Sequence, residues 1–138
     1  MRDINVWANK VIVDWLIKSQ RVVRQLIFIS SGASVNGNRG WGAYSISKAS
    51  INMMARLYAA DMPDTHVTAY APGLAHTQMQ DYLCHNVDTT KFPSIEYLVN
   101  TYQTEEMPDI DTAALQFAKS FDFCLEFESG SFPDIRQF

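Results

Sequence analysis

The sequence predicts an open α/β domain in which a parallel sheet lies between two layers of helices. Three observations predict it. Helix-period and strand-like segments alternate along the chain, the strand-like runs are almost wholly apolar, and glycine or proline punctuates their ends. Strands without an alternating polar face suit a sheet covered on both sides, as parallel sheets are. Of the 138 residues 47% are hydrophobic and 19% charged, ordinary for a single folded domain.

Residues 4–19 read as a helix, with Val6, Trp7, Val11, Val13, Trp15, Leu16 and Ile17 set against a polar stripe of Asn9, Lys10, Asp14 and Lys18. Residues 25–30 (Gln-Leu-Ile-Phe-Ile-Ser) form a short apolar strand. Residues 31–42 carry four glycines and no apolar period, so they are loop. A second helix is expected over 42–61, burying Ile46, Ala49, Met53, Leu57 and Ala60, with Pro63 just past its end. Residues 66–71 give the next strand, closed by Pro72-Gly73. Residues 77–108, broken at Pro93 and Pro108, read as short helices of a flexible flap. Asp111 is placed to cap a helix running to Asp122, with Ala114, Leu115, Phe117, Ala118 and Phe121 inward. A last strand is expected over 130–135. Three strands make a small sheet and the chain opens directly on a helix, so the expectation is an α/β domain without its first half.

The formal charge of −4 and pI near 5.2 offer no basic footprint for nucleic acid or for an anionic membrane surface. No window reaches the ~18 consecutive apolar residues of a membrane span, and the N-terminus lacks a signal-peptide pattern. A cytoplasmic protein is expected. Cys84 and Cys124 belong to no ligand spacing and read as reduced thiols, and His76, Cys84 and His85 lack the second ligand pair of a zinc site. No metal is expected.

The chemistry concentrates after the first strand. Tyr44 and Lys48 are four apart in the second predicted helix and project from nearly one face. A phenol of ordinary pKa about 10 is a poor acid near neutrality unless a fixed cation stabilises its phenolate. An ammonium one turn away does this, and so suits a general acid that protonates a developing alkoxide. Ser31 stands thirteen residues before Tyr44, at the carboxyl end of the strand, where open α/β sheets bind their ligands. A hydroxyl there can hold a substrate carbonyl, although a serine at that point also commonly ends a strand with a local turn bond.

Residues 29–34 (Ile-Ser-Ser-Gly-Ala-Ser), 40–49 (Gly-Trp-Gly-Ala-Tyr-Ser-Ile-Ser-Lys-Ala) and 71–77 (Ala-Pro-Gly-Leu-Ala-His-Thr) together resemble the short-chain dehydrogenase/reductase pattern. That pattern is a serine, a Tyr-x-x-x-Lys, and a Pro-Gly-x-x-x-Thr after the next strand. The Ser-Ser-Gly-Ala, Gly-Trp and terminal Asp-Ile-Arg features are most similar to the sepiapterin reductase and benzil reductase branch. The resemblance implies a Rossmann-like fold and reduction of a carbonyl by NADP or NAD, NADP being favoured by the branch. It implies that Tyr44 is the acid, that Lys48 supports it and bonds the nicotinamide ribose, and that Ser31 orients the carbonyl. Asn5 would anchor a water linking the lysine to solvent. Pro72, Gly73 and Ala75 would lie against the nicotinamide, Ala75 standing where the family often has valine or isoleucine. Thr77 would bond the carboxamide or phosphates. A small carbonyl or alcohol substrate and a homodimer or homotetramer are further implications.

The family's glycine-rich pyrophosphate turn, its NAD/NADP-selecting residue and its Asn-Asn-Ala-Gly strand are missing from these residues. Residues 37–42 (Gly-Asn-Arg-Gly-Trp-Gly) do not replace that turn, because the preceding strand ends too far upstream. A serine hydrolase with Ser31 or Ser34 as nucleophile is disfavoured: Asn36 replaces the last glycine of a Gly-x-Ser-x-Gly setting and no histidine is placed as the base. Met79, Tyr82, Leu83, Phe92, Tyr97 and Leu98 either line a substrate pocket or pack the flap. The alternative from another class is a truncated, non-enzymatic chain acting as a subunit or interaction module.

Overall fold

The computed structural model describes residues 1–137. A π-helical stretch, Asp3–Ala8, runs directly into α1 (Asn9–Lys18), followed by β1 (Gln25–Ile29), α2 (Gly42–Asp61) and β2 (His66–Tyr70). The flap contributes α3 (Gln78–Asn86) and α4 (Ser94–Thr101), and α5 (Ile110–Cys124) returns to the sheet. β1 and β2 pair in parallel from Gln25 opposite His66 to Ile29 opposite Tyr70, with α2 as the crossover.

Successive strand residues point to opposite faces, so each strand feeds two cores. Phe28, Val67 and Ala69 meet Val13 of α1 and Ile51, Met54, Ala55 and Tyr58 of α2. On the other face Ile27 and Tyr70 meet Phe117, Phe123 and Cys124 of α5. This is the three-layer α/β/α arrangement the alternation predicts. The Tyr58 hydroxyl donates to Asp14 Oδ1 at 2.6 Å, fastening α1 to α2. A third core, Ile95, Leu98 and Met107 with Leu83, Phe92 and Trp41 around them, holds the flap together.

Several expectations are corrected. The expected strand 130–135 is only an isolated bridge between Ala71 and Asp134. The segment does run beside β2: Ala69 N–H donates to Ser131, Ala71 N–H to Pro133, and Ile135 N–H to Ala71. Pro133 has no N–H to return a bond to β2, so the ladder breaks there. The buried face of α2 is Ser47, Ile51, Met54, Ala55 and Tyr58, while Ile46, Ala49, Met53, Leu57 and Ala60 face outward. α2 is apolar on both sides, and only the sheet decides which side is covered. In α5 the inward residues are Ser120, Phe123 and Cys124, with Phe117 packed beside them; Ala114, Leu115, Ala118 and Phe121 are exposed. Its cap is Asp109, whose carboxylate accepts from Thr112 N–H at 2.8 Å, and not Asp111.

Candidate active site

The site lies where β1 ends. Ser31, in extended backbone, caps a 3-10 turn over Gly32–Ser34, and its hydroxyl oxygen accepts from Ala33 N–H at 3.2 Å. Tyr44 sits in the first turn of α2 and Lys48 one turn later. The Lys48 Nζ donates to the Ile29 carbonyl at 2.8 Å and lies 5.8 Å from the centroid of the Tyr44 ring. One ammonium therefore joins the tyrosine's helix to the strand end two residues before Ser31. Half-burial pushes the Lys48 pKa below its ordinary value, because desolvation disfavours the charge.

Two hydrogen-bonded chains, which the sequence reading missed, brace this edge. The buried Ser30 hydroxyl donates to Asn52 Oδ1 at 2.5 Å, and Asn52 Nδ2 donates to the Ser34 hydroxyl at 2.8 Å. Asn52 thereby holds the side chains of Ser30 and Ser34, on either side of Ser31. Its place was legible in principle, for Tyr44, Lys48 and Asn52 recur every four residues on one helical stripe. The second chain starts at Asn5, inside the π-helical stretch. Its Nδ2 donates to the Ser47 hydroxyl at 3.1 Å, which donates to the Tyr44 carbonyl at 2.7 Å. Asn5 thus reaches the backbone of Tyr44 through Ser47. Trp41 stands edge-on to the Tyr44 ring, centroids 5.7 Å apart, and its indole N–H donates to Ser94 of α4 at 2.8 Å.

The loop after β2 leaves from the same edge and carries Pro72, Gly73, Ala75 and Thr77. Gly73 has φ +81°, and a Cβ on it would sit 2.9 Å from Ile135, so the backbone's close approach requires glycine. The Thr77 hydroxyl caps α3, accepting from Gln80 N–H at 3.4 Å. The flap closes at its neck where His76 N–H donates to the Pro108 carbonyl at 2.8 Å. Tyr102 donates to Asp81, and His76 Nε2 lies 2.8 Å from the same carboxylate. Those two bonds, Tyr102 first, hold the Asp81 carboxyl below its usual range. A hollow of about 380 Å³ beside the neck is lined by Thr77, Asp81, Asp109 and Asp111 among others.

A second hollow, of about 300 Å³, lies under the flap with Tyr44 in its wall; Trp41, Met79, Leu83 and Phe92 also line it. Of the flap residues left open by the sequence, Met79, Leu83 and Phe92 thus line a pocket. Leu98 packs the flap's core, Tyr82 is exposed, and the Tyr97 hydroxyl donates to Glu106 at 3.1 Å.

A family model for short chain dehydrogenases matches residues 5–88, a span that holds Asn5, Ser31, Tyr44, Lys48, Asn52 and Thr77. The chain belongs to the short-chain dehydrogenase family. It is 34% identical over 108 residues to a benzil reductase ((S)-benzoin forming) of Saccharomyces cerevisiae, covering 75% of this chain and 41% of that one. It is 40% identical over 57 residues to the sepiapterin reductase of Bos taurus, covering 41% of this chain and 21% of that one. A crystal structure of a Saccharomyces cerevisiae short-chain dehydrogenase/reductase superposes with a TM-score of 0.79 at 23% identity, covering 98% of this chain and 55% of that chain. The last likeness shows the family's fold. In each comparison this chain spans about half of its relative or less.

Proposed function

We propose that these residues form the catalytic segment of a nicotinamide-dependent carbonyl reductase. The observation that carries the reading is the placement of the Lys48 ammonium, 5.8 Å from the Tyr44 ring centroid and bonded to the end of β1. In this reading Tyr44 donates its phenolic proton to the carbonyl oxygen as the bond to carbon is reduced, and Lys48 stabilises the phenolate left behind. Ser31 turns its hydroxyl from the local turn toward the substrate oxygen and holds it beside the phenol. Asn5 acts on Tyr44 through Ser47.

The residues fit the nicotinamide end of a dinucleotide. Pro72, Gly73 and Ala75 lie on the loop that leaves β2 at the same sheet edge, and Lys48 offers donors for ribose hydroxyls. The Thr77 hydroxyl stands in a hollow with Asp81, Asp109 and Asp111, surroundings that suit a neutral carboxamide better than a phosphate. When bound, a nicotinamide supplies hydride to the carbonyl carbon. NADP is favoured over NAD by likeness to the sepiapterin and benzil reductases; a solved ketoreductase of similar fold carries NADP. The substrate is a small carbonyl or alcohol. Exposed apolar residues on α1 and α2, Trp15, Ile46 and Leu57 among them, fit a homodimer or homotetramer. Among the described residues no helix is long and apolar enough to cross a membrane, and a cytoplasmic setting is part of the proposal.

One observation favours a second reading, in which this chain acts as a subunit or interaction piece. Among the described residues β1 pairs on one side only, and Ile29 at its end is 42% exposed, leaving an edge open to pairing. Oxidation of NADPH by a carbonyl substrate, followed by absorbance, separates the two. Under the reductase reading, an enzyme that joins this segment to a dinucleotide-binding half turns over and its Tyr44→Phe variant loses about a hundredfold or more, while cofactor titrations stay within a factor of two. Full turnover in Tyr44→Phe removes the mechanism; a wild-type chain that neither binds cofactor nor turns over leaves the second reading.

A further inference from the structure

The hollow beside Tyr44 carries more information than its position. Its walls are Trp41, Met79, Leu83, Val87, Phe92 and Ile95, so it favours an apolar body. Trp41 has spent its indole N–H on Ser94, and among the described residues Arg39 alone brings a charged side chain to the lining. Phe92 is built in rather than loosely packed. Gly40, at φ +89°, has no side chain, and a Cβ there would lie 2.7 Å from the Phe92 ring.

Two cations flank that same ring. The Arg39 guanidinium carbon lies 5.9 Å from its centroid and the Lys91 ammonium 6.0 Å. Among the described residues neither has a carboxylate at ion-pair distance. The nearest carboxylate in sequence, Asp88, is turned into its own loop, accepting from Thr90 N–H at 2.9 Å and from its hydroxyl at 2.7 Å. In an acidic chain of net charge −4, two unpaired cations on one pocket-wall ring are set to meet an anion from outside.

We infer that this pocket takes an apolar-bodied carbonyl compound with an anionic group at its far end. The body lies between Phe92, Met79 and Trp41, the carbonyl meets Tyr44, and the anion meets Arg39 and Lys91. The inference rests on the reductase reading for the carbonyl end only, since the apolar wall and the cations stand without it.

The test is binding, read without turnover. 4-Acetylbenzoate and its neutral isostere 4-acetylbenzamide are titrated into the full chain by ligand-observed NMR. The acid is expected to bind up to about fivefold more tightly than the amide, the ceiling for an exposed ion pair, with the advantage shrinking in high salt. Arg39→Gln with Lys91→Gln should erase the preference and leave the amide unchanged. Phe92→Ala should weaken both ligands. Equal affinities in the wild-type chain, or a preference that survives loss of both cations, overturn the anionic end. Failure of either ligand to bind, or binding indifferent to Phe92→Ala, overturns the pocket. If both ligands bind as expected but no carbonyl is reduced, the reductase reading alone fails; if small ketones are reduced and neither probe binds, this inference alone fails.

Discussion

The two long faces of α2 are made of similar residues and have opposite fates. Ile51, Met54 and Tyr58 are buried against the sheet and α1, at 1%, 9% and 7% exposure, while Ile46, Met53 and Leu57 stand at 70%, 52% and 58%. Composition does not separate them, for each face offers three large hydrophobic side chains, an isoleucine and a methionine among them. What separates them is the sheet: Phe28, Val67 and Ala69 come from the strands before and after the helix along the chain and cover only one side. Between the two faces runs the stripe of Tyr44, Lys48 and Asn52, turned to the end of β1. One helix thus serves as core, outer surface and candidate site at once. Apolar periodicity along a helix says that a face can be buried, and packing says which.

The comparison can be broken most directly by truncation. Ile51→Ala should cost about 2–5 kcal/mol in denaturant unfolding, as expected for a buried isoleucine leaving a cavity. Ile46→Ala should stay within about 0.5 kcal/mol in dilute protein. Equal costs would mean that both faces are covered in solution. Asn52→Ala, on the stripe between, leaves the buried Ser30 hydroxyl only the Lys48 carbonyl at 3.3 Å as acceptor and should cost about 0.5–1.5 kcal/mol. It should also lower turnover through Ser31 while cofactor affinity holds; a stability loss with unchanged kinetics would confine Asn52 to the scaffold.

Leu57→Lys sharpens the comparison on the outer face. If α2 packs against a second copy, the variant should sediment at a lower mass than the wild-type chain at equal concentration, with its far-ultraviolet spectrum unchanged. A wild-type chain that is already monomeric refutes the oligomer proposal. The smallest expected effect is in acid. Hydrogen bonds from Lys10, then Tyr58, hold the Asp14 carboxyl below its usual value near 3.8. A carboxylate depressed in the fold contributes stability that is complete above its unfolded value and lost as pH falls through its folded one. Unfolding curves between pH 5 and pH 2, about the range this covers, should therefore converge for wild type and Asp14→Asn at the acid end. A gap that persists there would assign the loss to packing instead of charge.

Much of the architecture was legible because it is written in local order. The four-residue step from Tyr44 to Lys48 puts both on one helical stripe, and β1 carries Ser31 on to the carboxyl edge whatever packs elsewhere. The strand over 130–135 was misjudged for an equally local reason, since Pro133 lacks the one N–H that would have continued the ladder. Asn52, Ser30 and Ser47 went unread because each is a common polar residue in an ordinary place. Their importance lies in partners 18, 22 and 42 residues away. The π-helical stretch that carries Asn5 has no sequence signature here, and the choice of Asp109 over Asp111 as the α5 cap depended on which carboxylate the backbone turned toward Thr112.

By itself, then, the sequence determined the alternation of helices and strands, the parallel class of the sheet, the family, and the spacing of Ser31, Tyr44 and Lys48. These follow from helix and strand periods, which act over a few residues and need no knowledge of the rest of the chain. Only the tertiary structure decided which faces of α2 and α5 are buried, which hydroxyls brace the strand end, and that Arg39 and Lys91 converge on Phe92. Those outcomes depend on residues distant along the chain competing to cover the same surface, and that competition is settled by summed packing and hydrogen bonding, which no single segment contains.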